Sequence, residues 1–303
     1  MHQRLYGFLR SVFRAVPRYA LPKFILMWRN MSVFERVHGY RFDIDHPRTF
    51  NEKLQWYKFN YFDARMLECV DKLGFKDFAR ERLGEDFSPK TLGIWTDIDA
   101  LEKDWDSLPE RFCLKSNCMG SSLGVLIITN KSDVSFDAIK PRVRSWLKKK
   151  NTSVNSTYKV CRHVKPNIFA EEYIGQNDSL CDYKFYCFDG KPYCANATIR
   201  HFRHGKILDG GIAFYDRDWN VLRGNVAGRT CTVVEKPARL DEMLEIAGKL
   251  SEGFPFIRVD LYYVDSRIYT GETEFYPGGG FGKYEPYEFD LEMGEQFVLP
   301  RKK

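Results

Sequence analysis

Two parts of the sequence carry side chains that could bind an anion and a divalent cation. The first is a loop of small residues between the apolar runs 112–114 and 125–128, which predicts strand, loop and strand. Glycine lets neighbouring N–H groups converge, and a lysine adds a charge for phosphate oxygens. The candidate ligands are Lys115, Gly120, Ser121, Ser122 and Gly124. We predict a phosphate-binding loop, with an ordinary glycine hairpin as the alternative; a Walker loop differs because its lysine follows the glycines.

The second part contains the carboxylates Asp260, Glu272 and Glu274 in sequence that otherwise reads as strand. An unpaired buried charge is costly, and carboxylate oxygens are the ligands that Mg²⁺ prefers when it also contacts phosphates. Together the two parts predict a nucleotide site. If Asp260 and Glu272 hold one metal, they must lie opposite each other on adjacent antiparallel strands. That pairing centres the turn on Ser266 and requires an odd number of loop residues unless a bulge intervenes.

These residues resemble motifs of the ATP-grasp enzymes, a group that includes the D-alanine–D-alanine ligases. The loop is similar to their phosphate loop, and Arg258-x-Asp260 followed by Glu272-x-Glu274-x-x-Pro-Gly is similar to their metal-binding end. Glu274 stands where most members have Asn, and either residue supplies an oxygen ligand. The run that resembles the adenine hinge is Glu171, Glu172, Tyr173 and Ile174. Asp71-Lys72 resembles the pair that opens a helix in many members, where it is more often structural than catalytic.

A narrower resemblance covers nearly the whole chain after residue 45. Residues 47–56, the strand around Asp182 and Lys184, and residues 250–260 resemble the TupA-like ATP-grasp proteins, which occur in loci for teichuronopeptide and other cell-surface polysaccharides. The resemblance implies a ligase that uses ATP and Mg²⁺ to join a carboxylate to an amine through an acyl phosphate, with a uronic-acid glycan and an amino acid as partners. Two alternatives remain: a kinase acting on a sugar hydroxyl, and a non-catalytic nucleotide-binding subunit of a polysaccharide assembly complex.

The resemblance also implies a role for each site residue. Lys115, Lys184 and the glycine loop would hold phosphates, the hinge would meet adenine, and Asp178 would bind ribose. The three carboxylates would hold Mg²⁺. The candidate catalytic residues are Arg258, Lys184 and Arg200. By resemblance, Arg258 would stabilise an oxyanion. Arg200 is chosen from its own chemistry: it follows a strand beside the ATP site and could hold an anionic substrate, because arginine binds carboxylates in a bidentate way. For Lys184, a solvent-facing strand position is the alternative.

The implied fold is an α/β ATP-grasp fold, in which two lobes hold the nucleotide between antiparallel sheets. We divide the chain into a basic helical arm (1–45), an N-terminal α/β segment (46–110), a small lobe (111–175) and a large lobe (176–303). Local signals add detail: Thr49 and Glu52 form a capping box, and Asp189-Gly190 predicts a type I′ hairpin. Helical spacing covers 64–82, 136–150 and 240–250.

Charge and cysteine content limit the function classes. Residues 1–42 carry eight Lys or Arg and one acid, whereas the net charge of the whole chain is +6, so the other 261 residues are nearly neutral. The folded domain of a nucleic-acid-binding protein should be basic, so we expect this chain to have no nucleic-acid partner. The eight cysteines include no C-x2-C pair, so they indicate neither a zinc site nor a redox motif. We expect the protein to be located in the reducing cytoplasm. Apolar residues over 5–16 alternate with arginines at helical spacing. This favours either a helix on the inner membrane surface, involving residues 1–30, or one packed on the domain; an organellar presequence is a third option.

Overall fold

The structure is a computed structural model that describes residues 23–148, 164–203 and 206–301. The amphipathic helix predicted over 5–16 and the end of the helix predicted over 136–150 lie outside these residues. Of the helices described, none is both long enough and apolar enough to cross a membrane.

The described chain alternates helices and strands. The helices are α1 (Lys23–His38), α2 (Phe50–Asn60), α3 (Arg65–Val70), α4 (Lys72–Leu83), α5 (Ile98–Asp104), α6 (Phe136–Lys148), α7 (Leu240–Ser251) and α8 (Tyr287–Gln296). The strands are β1 (Thr91–Trp95), β2 (Phe112–Ser116), β3 (Val125–Ile128), β4 (Ile168–Glu172), β5 (Ser179–Phe188), β6 (Lys191–Arg203), β7 (Lys206–Tyr215), β8 (Asn225–Val226), β9 (Phe256–Val264), β10 (Arg267–Glu274) and β11 (Tyr284–Glu285).

Two antiparallel sheets form the framework. The first has the strand order β1-β4-β2-β3, the second has the order β10-β9-β5-β6-β7, and β8 and β11 form a small separate pair. Every strand pair in these sheets is antiparallel. The architecture confirms the predicted α/β class with antiparallel sheets.

Strand alternation decides which face of the first sheet is free for a ligand. In β2, Phe112 and Leu114 are fully buried and pack with Trp105 and Trp146 in a core beneath the sheet. Because successive side chains point to opposite faces, Lys115 must point away from this core.

The second sheet divides its faces in the same way. Ile257, Val259 and Leu261 of β9 are fully buried. The neighbouring Cys187 Sγ lies 3.8 Å from the Ala247 carbonyl oxygen, which places helix α7 on that face. Arg258 therefore projects from the opposite face, together with the other even-numbered side chains of β9.

Helix α2 begins with the predicted capping box. Thr49 Oγ1 accepts from the Glu52 N–H, and Glu52 Oε2 accepts from the Thr49 N–H, both at 3.3 Å. Two side-chain donors of this helix, Asn51 Nδ2 and Gln55 Nε2, bind the carbonyl oxygens of Gly282 and Gly280 at 2.7 Å. The helix thus holds the backbone that follows β10.

Two lysines of α2 form further hydrogen bonds to the C-terminal backbone. Lys58 Nζ donates to the Gly279 carbonyl at 2.6 Å, and Lys53 Nζ donates to the carbonyls of Gly294 and Phe297 at 2.8 and 2.9 Å. Most of the stretch 47–56 that resembles the TupA-like proteins therefore lies in a helix that binds the C-terminal part of the described chain.

Two local predictions have clear outcomes. Asp189 and Gly190 have φ of 47° and 75° and join β5 to β6, as a type I′ turn requires. The single helix predicted over 64–82 is wrong, because the chain is extended at Asp71 and forms α3 and α4 on either side. The Asp71 carboxylate accepts from the Leu73 N–H at 3.0 Å, so it caps the second helix instead of continuing the first.

Candidate functional site

A cavity of about 240 Å³ lies between the two sheets. Its described wall consists of Lys72, Pro89, Cys113, Lys115, Val125, Ile127, Glu171, Glu172, Tyr173, Ile174, Gly175, Leu180, Arg200, Phe202, Ile207, Tyr262, Gly271 and Glu272. Residues predicted from both sequence clusters and from the hinge therefore meet at one cavity.

Lys115 points into this cavity and forms a buried ion pair with Glu171 on the neighbouring strand β4. Glu171 Oε2 also lies 2.6 Å from Lys76 Nζ on helix α4. Burial disfavours both charges, but their attraction outweighs it, so the pKa of Lys115 lies above its usual value and the pKa of Glu171 lies below. One carboxylate thus holds two ammonium groups, and a phosphate could replace it as the partner of Lys115.

Lys72 is a cavity residue that the sequence pattern did not predict. Its Nζ donates to the Met119 carbonyl at 3.0 Å and lies 3.0 Å from Glu272 Oε2. Burial alone would raise the pKa of Glu272, but Lys72 lowers it to about 2. Lys72 therefore links the small-residue loop to the carboxylate strand. Lys72 and Lys76 are four residues apart and share one face of α4, and this spacing is the signal that could have identified them.

The small-residue loop joins β2 to β3 and ends in a 3₁₀ turn, which confirms the predicted order of strand, loop and strand. Gly120 and Gly124 are not in the wall of the cavity as described, and the side chains of Ser121 and Ser122 lie outside the described part of the chain. A Cβ atom on Gly124 would come within 2.5 Å of Met119 Cβ, so the end of the loop is tightly packed.

The predicted hinge lies where β4 leaves the first sheet. Glu172, Tyr173, Ile174 and Gly175 all contribute to the cavity wall. Glu172 Oε1 also accepts from the backbone N–H of Lys90 at 3.0 Å, which fixes the end of the strand. The hinge residues thus form the edge of the cavity that lies between the two sheets.

Asp178 lies beside the hinge but is not one of the described wall residues. Its Oδ1 is 2.9 Å from an Arg111 terminal nitrogen, and the Arg111 guanidinium lies 4.4 Å from the centre of the Tyr173 ring. The predicted ribose ligand is therefore part of an exposed ion pair next to the cavity.

Strand β5 brings two charged residues to the face of the second sheet that carries the cavity. Asp182 lies opposite Tyr262, and Lys184 lies opposite Asp260. Asp182 pairs with Lys184, and its Oδ2 lies 2.9 Å from Arg200. Burial raises the pKa of Asp182, but the two cations hold it below its usual value. Asp182 Oδ1 has no hydrogen-bond partner among the described residues, so a ligand could satisfy it.

Arg258 lies on the same face and binds two carboxylates. It donates to both oxygens of Asp260 at 2.7 Å, and a terminal nitrogen lies 2.7 Å from Glu274 Oε2. Burial opposes the charge of Arg258, but these carboxylates raise its pKa well above the usual value. Burial also raises the pKa values of Asp260 and Glu274 in spite of Arg258. The predicted catalytic residues Arg258, Lys184 and Arg200 therefore lie on one sheet face.

The three predicted metal ligands have suitable chemistry for Mg²⁺. Asp260 lies directly opposite Glu272, and Glu274 lies opposite Arg258, so all three carboxylates share a face. Among the residues described, no three His, Cys, Asp or Glu side chains converge to hold a metal by themselves. Mg²⁺ commonly takes one or two carboxylates and completes its shell with phosphate oxygens and water, so this donor set fits it as a shared site with substrate.

Apolar side chains also line the cavity. Val125 and Ile127 line it from the first sheet, and Leu180, Phe202 and Ile207 line it from the second. These side chains give the cavity two apolar walls next to the charged end, a combination that suits a ligand with a flat ring and an anionic tail.

A family model described as TupA-like ATPgrasp matches residues 52–298. Among solved structures, the chain is 19% identical to a Bacillus anthracis D-alanine–D-alanine ligase complexed with ATP, with a TM-score of 0.41, over 68% of this chain and 56% of that one. Another structure of the Bacillus anthracis ligase gives 19% identity and a TM-score of 0.44, over 84% and 76% of the two chains.

An L-amino acid ligase from Bacillus licheniformis gives 16% identity and a TM-score of 0.42, over 70% of this chain and 44% of that one. The chain thus spans 56% of the length of the ATP-bound ligase. The comparison with curated proteins found no match. The match to the family model covers most of the described chain and includes both site clusters, and the chain belongs to the TupA-like ATP-grasp family.

Proposed function

We propose that the chain is an ATP- and Mg²⁺-dependent ligase that joins a carboxylate to an amine. The observation that carries the proposal is the distribution of charge around one cavity. Ammonium groups of Lys115 and Lys72 lie at its wall, and the carboxylate face of β9 and β10 continues from Glu272. Cations suit phosphate oxygens, and carboxylates suit the metal that accompanies them.

In this proposal the apolar walls and the backbone of Tyr173 and Ile174 receive adenine. Lys115 exchanges Glu171 for a phosphate oxygen, and Glu171 keeps Lys76 as its partner. Lys184 offers a second ammonium group from the facing sheet. Asp178 is proposed to meet the ribose, which requires it to exchange Arg111 for a sugar hydroxyl.

The proposed chemistry has two steps. A substrate carboxylate oxygen attacks the γ-phosphorus of ATP, the bond to the β,γ-bridging oxygen breaks, and ADP leaves. The amine nitrogen then attacks the acyl carbon, the bond to phosphate breaks, and the nitrogen loses a proton. Arg258 and Arg200 would stabilise the negative oxygen that develops at the acyl carbon and orient the carboxylate. Asp260, Glu272 and Glu274 would hold Mg²⁺, which neutralises charge on the phosphates when bound.

We propose that the substrates are a uronic acid in a cell-surface glycan and an amino acid. The ground for a polysaccharide substrate is the resemblance of the sequence to the TupA-like proteins, which occur in loci for cell-surface polysaccharides. The proposed site of action is the cytoplasm, and the seven cysteines in the described residues are all free thiols, as a reducing compartment permits.

We further propose that residues 1–30 attach the protein to an anionic membrane surface. Helix α1 exposes Phe24 and Trp28, whose side chains are four residues apart and 67% and 44% exposed. Basic residues lie in the same part of the sequence, and anionic headgroups attract each of them by about 1 kcal/mol near the surface.

Trapping with hydroxylamine tests the ligase chemistry. An acyl phosphate reacts with hydroxylamine to give a hydroxamate, ADP and free phosphate, whereas a phosphate ester does not. The protein is incubated with Mg-ATP, hydroxylamine and a panel of uronic acids and amino acids, and products are identified by mass spectrometry. A hydroxamate supports the ligase. A phosphorylated sugar with ADP and no free phosphate indicates a kinase, and nucleotide binding without turnover across the panel indicates a non-catalytic subunit.

A further inference from the structure

A second cavity, of about 380 Å³, lies between the C-terminal end of α1 and the start of α8. This volume falls within the range of roughly 300–1,000 Å³ that is typical of ligand pockets. Its wall includes no residue of the nucleotide cavity described above. The proposed ligase chemistry therefore gives it no role.

Two tyrosines form an open aromatic corner of this cavity. The rings of Tyr40 and Tyr287 are nearly perpendicular, at 84°, with their centres 6.2 Å apart. Tyr287 is 44% exposed, so a large part of its ring faces solvent. A tyrosine ring offers apolar area with little loss of conformational entropy, and a ligand with an apolar face can stack on it.

The wall of this cavity also contains several hydrogen-bond acceptors. His38 Nε2 is buried and has no hydrogen-bond partner among the described residues. Burial, with a contribution from Lys283, lowers the pKa of His38 to about 4, so the imidazole is neutral near pH 7 and one ring nitrogen can accept. The buried Asp290 carboxylate accepts from the Asn51 N–H and Nδ2 at 3.1 Å and is also hydrogen-bonded to Thr49, which leaves it about one further acceptor site.

The charges of the cavity disfavour an anion. Its lysine, Lys283, lies 3.3 Å from Glu285 Oε1, so the positive charge already has a partner. The Asp290 carboxylate adds further negative character, although burial raises its pKa to about 6. A ligand for this wall should donate several hydrogen bonds and carry no negative charge.

We propose that this cavity binds a neutral sugar ring. Pyranose rings combine an apolar C–H face, which would stack on Tyr287, with hydroxyl donors, which would reach His38, Glu285 and Asp290. The site is distinct from the one where a uronic acid would react, and the proposal stands whether or not the chain is a ligase.

Saturation-transfer NMR on the full chain tests the proposal. The probes are the methyl glycosides of glucose, galactose and N-acetylglucosamine, with glucuronate as the anionic comparison. We expect transfer to at least one neutral glycoside. Any transfer to glucuronate should come from the proposed ligase site and should therefore survive Tyr287→Ala. Tyr287→Ala should abolish the transfer. Phe62→Ala removes a ring that is 42% exposed elsewhere, and it should leave the transfer unchanged.

Two further variants serve as controls: one tests the cavity if Tyr287→Ala does not fold, and the other separates sugar binding from nucleotide binding. Glu285→Lys should weaken transfer to the neutral glycoside if Tyr287→Ala does not fold. Lys115→Met should leave sugar binding intact even if it abolishes nucleotide binding. Transfer to none of the neutral glycosides, transfer that survives both Tyr287→Ala and Glu285→Lys, or transfer only to glucuronate would overturn the proposal.

Discussion

Asp260 and Glu272 lie directly opposite each other on β9 and β10, although the turn between these strands contains only two residues. Asp265 and Ser266 form that turn with φ of 49° and 60°, and they pair Val264 with Arg267. A two-residue turn in an unbroken ladder would place the two carboxylates on opposite faces. A bulge between Thr270 and Glu272 absorbs one residue, Gly271, and returns Glu272 to the face of Asp260.

Replacement of the bulge glycine should therefore be costly. A Cβ atom on Gly271 would lie 2.9 Å from Tyr262 Cε2 and 3.0 Å from the Asp260 carbonyl oxygen. We expect Gly271→Ala to lower the free energy of unfolding by about 1–3 kcal/mol, as overpacking does. Urea unfolding measures this. Gly282→Ala, where a Cβ meets nothing within 4 Å, should change it by less than about 0.5 kcal/mol. Equal effects of the two substitutions would contradict the role of the bulge.

Lys115→Met should weaken ATP binding and leave the fold intact. The variant loses a charge-assisted contact, worth about 1.5–3 kcal/mol, or roughly a tenfold to hundredfold change in Kd. Glu171 keeps Lys76, so its buried charge is still compensated. Calorimetry with Mg-ATP gives the affinity. Lys140→Met removes a lysine that pairs with Glu102 away from the cavity, and it should bind ATP normally. Unchanged affinity in Lys115→Met would exclude the phosphate role.

Glu272→Gln should lower the affinity for Mg²⁺ in the presence of ATP. The amide keeps the shape of the side chain but loses the charge that attracts a cation. We expect the apparent Mg²⁺ affinity to fall by at least about tenfold, since even the loss of an outer-shell partner has that effect. Titration of Mg²⁺ at fixed ATP measures it. Glu102→Gln is the matched control, because Glu102 also pairs with a lysine and is similarly exposed. If both variants respond alike, Glu272 is not a metal ligand.

Because of Lys58, the free energy of unfolding should rise with pH above pH 7. It is 5% exposed, and burial lowers its pKa to about 7. Between pH 7 and the ordinary lysine value of 10.5, the unfolded chain binds a proton that the folded chain does not. Stability should therefore increase by up to about 1.4 kcal/mol per pH unit in this range.

Comparison with Lys58→Met isolates this effect, because other titrating groups contribute equally to both proteins. Urea unfolding at pH 7 and pH 9 should show wild type gaining stability relative to the variant. A difference between the two proteins that does not change with pH would mean that Lys58 keeps its ordinary pKa in the fold.

Phe24→Ser with Trp28→Ser tests the membrane proposal. Wild type should float with liposomes that contain anionic lipid, and less so at high salt because the attraction is screened. The double variant should stay in solution, since it lacks the apolar anchor. Wild type that remains in solution at every anionic lipid content would refute membrane attachment.

The sequence predicted most of the framework because its signals are local. The capping box at Thr49 and the turn at Asp189-Gly190 depend on neighbouring residues, and both are present in the structure. The pairing of Asp260 with Glu272 followed from period-two alternation once a shared metal was assumed. The break at Asp71 is also local: apolar spacing on either side suggested one helix, whereas the resemblance of Asp71-Lys72 to a helix-opening pair marked where the second helix begins.

Tertiary contacts explain what the sequence could not predict. Lys72 enters the cavity because Met119 and Glu272, far away in sequence, come close to it. The pairing of Lys115 with Glu171 depends on β2 lying beside β4, which no local pattern specifies. The location of the bulge at Gly271 likewise depends on the partner strand, so alternation could state the need for a bulge but not its position.

The hydrogen bonds between helix α2 and the backbone after β10 have a consequence for folding during synthesis on the ribosome. Lys58 and Lys53 emerge early, whereas the carbonyls that they bind at Gly279 and Phe297 follow 221 and 244 residues later. Until then neither lysine can bind those carbonyls, and Lys58 has only Gln55 Oε1 of the same helix as a partner, so α2 cannot dock in its final place. In a nascent chain that has already formed both sheets, the backbone after β10 must still lack some of its hydrogen bonds to α2. We expect the nascent protein to become resistant to protease there only when its last described helix has been released.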